Sequence, residues 1–387
     1  MTPTQPASVL LTPGPVTVST PTKREMLVDH AMDGPRIERD VTFCRDYLLR
    51  IANARGSGTA IPLAGCATAA NEAVIQTFVE PDDRLLVYSN GVFGERLATI
   101  CTAIGLRHTH LRTLATQPLS IIRLRDMLLS DPEITHVMVV HCETSSGIIN
   151  PLQQIAELCK EFRKKLLIDA VSSFGALTID MKVLRFEALV LGCNKCLQGP
   201  PGLAWVIANE NSLRSRKGKA RSLTLDLWDQ WQHFEMHNGF RFTPPTHIIA
   251  AFTQALREHQ DEGGQKARLR RYSNNRDCLV EGMRELGFKT LLPDEVAAPI
   301  VATFFSLDDP RYDPLWFCRR MAQHGFHISL RRVAVPNTLR IGCIGDLNQD
   351  DMLAAVAAAR RVLSEMHIAA QHHQATLQDA ALSEVRK

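Results

Sequence analysis

Between residues 59 and 207, short apolar runs alternate with stretches whose apolar positions recur at the helical period. Strands are predicted at 59–64, 84–89, 135–141, 165–170, 187–192 and 203–207, and helices at 69–78, 93–103 and 152–162. This alternation is the pattern of βαβ units. Val137-Met138-Val139-Val140 and Leu166-Leu167-Ile168 are apolar on both faces, as strands between two helical layers must be, so the fold class is α/β with a mostly parallel sheet. After residue 245 come two long helical patterns, 246–259 and 265–286, split by Glu262-Gly263-Gly264. Shorter strands (299–305, 326–330, 338–341) then mix with helices (315–324, 350–363), predicting a smaller C-terminal α+β domain. The organisation expected is a loop-like segment over 1–30 with a bend at Thr12-Pro13-Gly14-Pro15, a large domain over 31–260, a small domain over 261–366 and a flexible tail over 367–387.

Composition narrows the class. With 387 residues the chain exceeds what one core normally supports, and 45% apolar with 22% charged residues excludes disordered and fibrous proteins. A net charge of +3 gives no reason to expect nucleic acid or a membrane as partner. The ten cysteines are scattered except for Cys193 and Cys196, and the N-terminus lacks a basic region followed by an apolar one. A reducing cytoplasm and a small-molecule partner are therefore expected.

In open parallel sheets, ligands bind at the carboxyl ends of the strands. Asp169 closes an apolar run, Lys195 follows a strand by the short step Cys193-Asn194, and Glu143-Thr144-Ser145-Ser146-Gly147 follows another. All three are expected at one rim. An acid and a lysine on neighbouring strand ends suit pyridoxal phosphate (PLP): its aldehyde condenses with a lysine amine, and a buried carboxylate keeps its ring nitrogen protonated so that the ring accepts carbanion electrons. The same pair also fits a turn-capping aspartate and a solvated lysine, and spacing alone leaves both readings open.

A phosphate needs N–H groups at a helix N-terminus and a hydroxyl. Gly65-Cys66-Ala67-Thr68, between a strand and a helix, offers both; Gly56-Ser57-Gly58-Thr59 precedes a strand and reads as a turn. Neither is a P-loop or a dinucleotide fingerprint, and no DNA-reading module is evident, which leaves a nucleotide-binding regulator without support. Phe93, at a strand-to-helix turn, suits either ring stacking or core packing. Arg340, between Leu339 and Ile341, must find an anion, either a substrate carboxylate or phosphonate or an internal partner. Cys193-Asn194-Lys195-Cys196 has no second pair at zinc spacing, and the basic run 214–221 lacks interleaved aromatics, so packing and a solvated loop are expected of them.

Taken in order, Leu11-Thr12-Pro13-Gly14-Pro15, Ser89-Asn90-Gly91-x-Phe93-Gly94-x-Arg96, His141-x-Glu143-Thr144-Ser145-x-Gly147, Asp169-Ala170-x-Ser172-Ser173-Phe174-Gly175, Asn194-Lys195-Cys196-x-Gln198-Gly199 and Arg241-Phe242-Thr243-x-Pro245-Thr246-His247 resemble the class V, fold-type I PLP aminotransferases. The resemblance spans about residues 8–365, and within the family it is greatest to transaminases of 2-aminoethylphosphonate and pyruvate. It implies Lys195 as the cofactor-linked lysine and Asp169 as partner of the ring nitrogen. It also implies Gly65, Cys66, Ala67 and Thr68 as phosphate cradle, Phe93 as stacking residue, Thr144 and Asn194 as polar contacts, and Arg340 as substrate-anion anchor. Thr243 is implied to reach the neighbouring subunit's phosphate, hence a homodimer. No metal is implied. Three departures bear on the amino donor: Cys66-Ala67 in place of Ser-Gly, His30-Ala31-Met32-Asp33-Gly34-Pro35 in place of a Trp-Asp-rich loop, and Arg331-Arg332 in place of Gly-Lys. An alanine–glyoxylate or serine–pyruvate transaminase, or a PLP lyase acting on an aminophosphonate, is the alternative reading.

Overall fold

The computed structural model describes residues 8–330 and 333–368. Seven strands form the central sheet: β1 (Gly58–Ala64), β2 (Arg84–Ser89), β3 (His108–Arg112), β4 (Ile134–Val140), β5 (Lys165–Asp169), β6 (Ala188–Gly192) and β7 (Leu203–Asn209), in the order β1-β7-β6-β5-β4-β2-β3. Only β7 runs antiparallel to its neighbours.

The apolar runs behave as strands sealed on both sides. Val137 and Val139 of β4 join one core with Leu166 and Ile168 of β5 and Leu189 and Leu191 of β6. Met138 and Val140, Leu167, and Ala188 and Val190 face the opposite core, as the two-residue period of a strand requires. Helices α1 (Pro35–Ile51), α4 (Ile121–Ser130), α5 (Leu152–Glu161) and α6 (Thr246–Asp261) cover the first face; α2 (Ala67–Phe78) and α3 (Val92–Ala103) cover the second.

Beyond α6, helices α7 (Gly264–Glu285), α8 (Pro314–Gln323) and α9 (Gln349–Glu365) pack with the antiparallel pair Val301–Phe305 and Thr338–Gly342 around a third core holding Leu279, Phe288, Phe304, Phe317 and Ile341. One expectation is corrected here. The first thirty residues are not loop throughout: Val9–Leu11 pairs in parallel with Phe326–Ile328, and Thr20–Glu25 is helical, with Ser19 accepting from the Thr22 N–H. The segment is tied down because the strand Phe326–Ile328 offers it an edge. Arg331, Arg332 and the chain after 368 lie outside the described residues.

Candidate active site

β5 and β6 end side by side, and Asp169 is in register with Val140 on one side and Val190 on the other. Lys195 stands three residues beyond the end of β6. Both side chains line one cavity of about 210 Å³, together with Gly65, Cys66, Ala67, Thr68, Phe93 and Asn194. The common rim expected of parallel strand ends therefore exists for this pair.

Asp169 is buried, with each carboxylate oxygen accepting one bond. The Val171 N–H donates to Oδ1 at 3.0 Å, and Asn71 Nδ2 donates to Oδ2 at 2.7 Å. Burial pushes the acid above its ordinary range, against the pull of those two donors and of the positive charges on Lys195 and Arg96. A cation placed in the cavity would favour the ionised form. Lys195 Nζ donates to the Pro13 carbonyl at 2.8 Å, so the bend at Pro13-Gly14 lies directly against it.

Facing them, the cradle forms where β1 turns into α2. Gly65 takes φ +140°, a conformation that side-chain-bearing residues rarely adopt, and its N–H bonds to the Gly202 carbonyl at 2.9 Å. Cys66 then caps α2 in an extended conformation, and Ala67 and Thr68, whose N–H groups have no partner four residues back, line the cavity, while the Ala69 N–H bonds to the Cys66 carbonyl at 3.0 Å. The Cys66 thiol is exposed. Burial tends to raise it, but the N–H groups of Ala69 and Thr68, the Thr68 hydroxyl and its own N–H outweigh that and hold it below the usual thiol range.

Glu143 does not reach the rim. It is fully buried under the N-terminus of α3, where Oε2 accepts from the N–H groups of Phe93 and Gly94, both at 3.1 Å, and Oε1 from the Ser145 N–H and hydroxyl. Burial raises its pKa against these donors. A carboxylate at a helix N-terminus suits the macrodipole, and here it also places Phe93 at the cavity wall. Gly91 leaves the room, since a Cβ there would run into Glu143 and Ser145.

The remaining sequence candidates sit outside the lining. Thr144 is buried, with its hydroxyl unpartnered; its carbonyl accepts from the Arg340 guanidinium, which is itself buried on the strand Thr338–Gly342. Thr243 is exposed on the segment before α6. Asn71 and Arg96, the latter the last residue of the Ser89–Arg96 motif, also line the cavity. Each lies three residues beyond a candidate, Asn71 after Thr68 and Arg96 after Phe93, and helical periodicity puts such pairs on one face. Arg96 donates to Thr68 Oγ1 at 3.3 Å, and its guanidinium carbon stands 5.0 Å from the centre of the Phe93 ring.

Cys193 and Cys196 are fully buried in the core, where they pack, whereas the basic run is not a solvated loop throughout, because Arg216 is buried. In the basic run, Arg214 pairs with Glu210, while Arg216 and Lys219 both pair with Glu80.

Comparison with known proteins settles the lineage. The family described as aminotransferase class-V matches residues 35–352. The chain belongs to that family. A 2-aminoethylphosphonate–pyruvate transaminase of Pseudomonas putida (strain GB-1) is 42% identical over 363 residues, covering 94% of this chain and 98% of the relative. In structure, ureidoglycine–glyoxylate aminotransferase from Bacillus subtilis superposes with a TM-score of 0.86 at 23% identity, covering 99% of this chain and all of that one. Alanine–glyoxylate aminotransferase from Nostoc sp. gives 0.85 at 25%, covering 94% and 97%.

Class-V membership implies PLP, and the cavity suits it. A helix N-terminus with the Thr68 hydroxyl faces one part of it, and a buried carboxylate and a lysine amine face the rest. The Asn71 Oδ1 atom, buried with no partner, marks the site as polar enough to receive a hydrogen-bonding ligand.

Proposed function

We propose that this class-V aminotransferase moves the amino group of 2-aminoethylphosphonate to pyruvate, giving phosphonoacetaldehyde and L-alanine, with PLP held in the cavity between α2 and the ends of β5 and β6. The observation that carries the reading is the convergence of Asp169, Lys195 and the cradle at Gly65, Cys66, Ala67 and Thr68 on one cavity. Near-full-length identity to the Pseudomonas putida transaminase supports the choice of substrates.

When bound, the cofactor supplies an aldehyde to carry the amino group and a protonated ring to accept the electrons left on the substrate carbon. The cradle's N–H groups and Thr68 would hold its phosphate, Phe93 would pack on its ring, and Asn194 and Thr144 would provide polar support. Asp169, ionised beside the ring nitrogen, would keep a proton on it. Lys195 would hold the cofactor and, with its amine free, would take a proton from the substrate carbon bearing nitrogen and later return one, as general base and acid. Arg340 anchors the phosphonate in one half-reaction and the carboxylate of pyruvate in the other, which one site can do because the substrates take turns.

The reading extends to a cytosolic homodimer in which Thr243 completes the partner's phosphate site, and to a body over 261–366 that closes on the substrate. Exposed Leu27, Val28, Leu223 and Phe242 supply apolar surface suited to such an interface. No helix among the described residues is long and apolar enough to cross a membrane.

The test is an assay of the purified, PLP-loaded protein. Pyruvate-dependent loss of 2-aminoethylphosphonate with equimolar alanine is expected. Ammonia release without pyruvate would make it a lyase, and faster turnover of alanine or serine with glyoxylate would overturn the donor assignment.

A further inference from the structure

Asn71 rises from the second turn of α2, lines the cavity and is buried. An ionised carboxylate only accepts hydrogen bonds, so the Asn71 amide must turn its NH2 toward Asp169 Oδ2, where the bond measures 2.7 Å. That orientation strands Asn71 Oδ1, which is buried without a partner. An orphaned buried acceptor is costly, and the arrangement persists only if the demand of the charged oxygen outweighs it. Were Asp169 protonated, the amide could flip and accept the acid proton at Oδ1. The direction of one amide thus depends on the charge state of its neighbour.

We infer that Asn71 is a positioning residue that acts through Asp169, fixing its carboxylate as a charged acceptor for a cationic ring N–H in the cavity. The inference rests on the reading of Asp169 as partner of the ring nitrogen. Lys195, after β6, and Arg96, on α3, also bear on Asp169 with positive charge. Two groups follow β4, and both stay neutral near pH 7 because they are buried. His141 is pushed down to about 4, and the Cys142 thiol is raised well above its usual value. All four remain when Asn71 is replaced, so the substitution isolates a single N–H donor. Losing it favours moving the shared proton from the ring nitrogen onto the acid.

The experiment is nitrogen-15 NMR of the holoenzyme loaded with ring-labelled PLP, followed against pH, for wild type, Asn71→Leu, Asn71→Ala and Asp169→Asn, with folding checked by circular dichroism. In the two Asn71 variants the ring nitrogen should lose its proton at least about one pH unit lower than in wild type. Asp169→Asn should shift further in the same direction. A purely structural role would lower stability and leave the ring titration in place. If Asp169→Asn shifts the titration and neither Asn71 variant does, the inference is wrong. If Asp169→Asn leaves it unchanged, the reading of Asp169 fails and takes the inference with it. Asn71→Ala, the smaller replacement, decides the matter if Asn71→Leu does not fold.

Discussion

Gly14 lies against the side chain of Lys195 so closely that a Cβ at position 14 would overlap its Cδ and Nζ atoms. Gly14 also has φ +129°, so any other residue there is strained as well as crowded. The segment has nowhere to retreat, because Gly342 abuts Thr12 and Pro13, and Gly345 abuts Thr17. Gly14→Ala should therefore displace the lysine before it unfolds the protein, at a backbone cost of about 1–3 kcal/mol. The expected result is at least a tenfold loss of turnover with a modest fall in melting temperature. Unchanged turnover with normal PLP content would show that the bend does not constrain Lys195.

Lys195→Ala removes the amine needed both to hold the cofactor and to move the proton. Turnover should fall by at least about 10²–10⁴, the usual contribution of a positioned acid–base group. Attachment can be read separately: after borohydride reduction of the wild-type holoenzyme, peptide mapping should find the cofactor adduct on the peptide containing Lys195. An adduct on another lysine would remove the assignment.

The central strands were legible because burial on both faces leaves a continuous apolar run, as in Val137-Met138-Val139-Val140. The edge strand β3, His-Thr-His-Leu-Arg, carries no such signal, since its outer side is unpaired and tolerates polar residues. Helix α1 does carry the helical period, with Ile37, Val41, Cys44 and Leu48 on one buried face, but it stands before the strand–helix alternation that marks the domain. At the site, strand-end position exposed Asp169 and Lys195, while the cavity positions of Asn71 and Arg96 became visible only once helical rotation turned them inward. The fate of Glu143 was not readable either. Whether a carboxylate after one strand faces ligand or sits under a helix that follows the neighbouring strand depends on a contact about fifty residues away in sequence.

The two arginines near the site divide the anion question. Arg340 is fixed against the Thr144 carbonyl, and Arg96 lines the cavity beside Thr68. If Arg340 serves both substrates, Arg340→Lys should raise the KM for 2-aminoethylphosphonate and for pyruvate by about tenfold or more, because an ammonium cannot make a bidentate contact. A rise confined to one substrate would mean separate anion sites, with Arg96→Gln the next variant to measure.

Cys66 places an acidified thiol where a phosphate dianion should sit. Partial burial pushes its pKa up, but the surrounding N–H groups and the Thr68 hydroxyl prevail, so the group ionises below the ordinary thiol range. As pH rises through that ionisation, the thiolate repels the phosphate and occupies the same donors. PLP affinity of the wild type should therefore weaken with rising pH more steeply than that of Cys66→Ser, whose hydroxyl stays neutral. Equilibrium binding to cofactor-free protein at several pH values provides the comparison, and parallel curves would remove Cys66 from the cradle.

Acid sensitivity of the fold has a separate source in His259. Its Nε2 faces the Gly175 carbonyl at 2.7 Å and must carry the hydrogen, so Nδ1 accepts from the Tyr47 hydroxyl at 2.6 Å. The neutral ring satisfies both partners, whereas an imidazolium would turn a donor toward the Tyr47 hydroxyl. Burial, reinforced by the charge of Arg268, holds its pKa down at about 4. Above the unfolded value of about 6.5 neither state binds the proton; between 6.5 and 4 only the unfolded chain does, so stability is lost as pH falls. The slope attributable to this group is about 1.4 kcal/mol per pH unit. Buried acids such as Asp169 and Glu143, whose pKa values are raised, contribute the opposite sign, so the slope should be compared with that of His259→Gln and not read alone. Urea unfolding between pH 5 and 6.5 should show wild type losing stability faster than the variant by about that amount. Equal slopes would mean that His259 is already protonated in the native state, and with it the tautomer drawn from Tyr47 and Gly175 would be wrong.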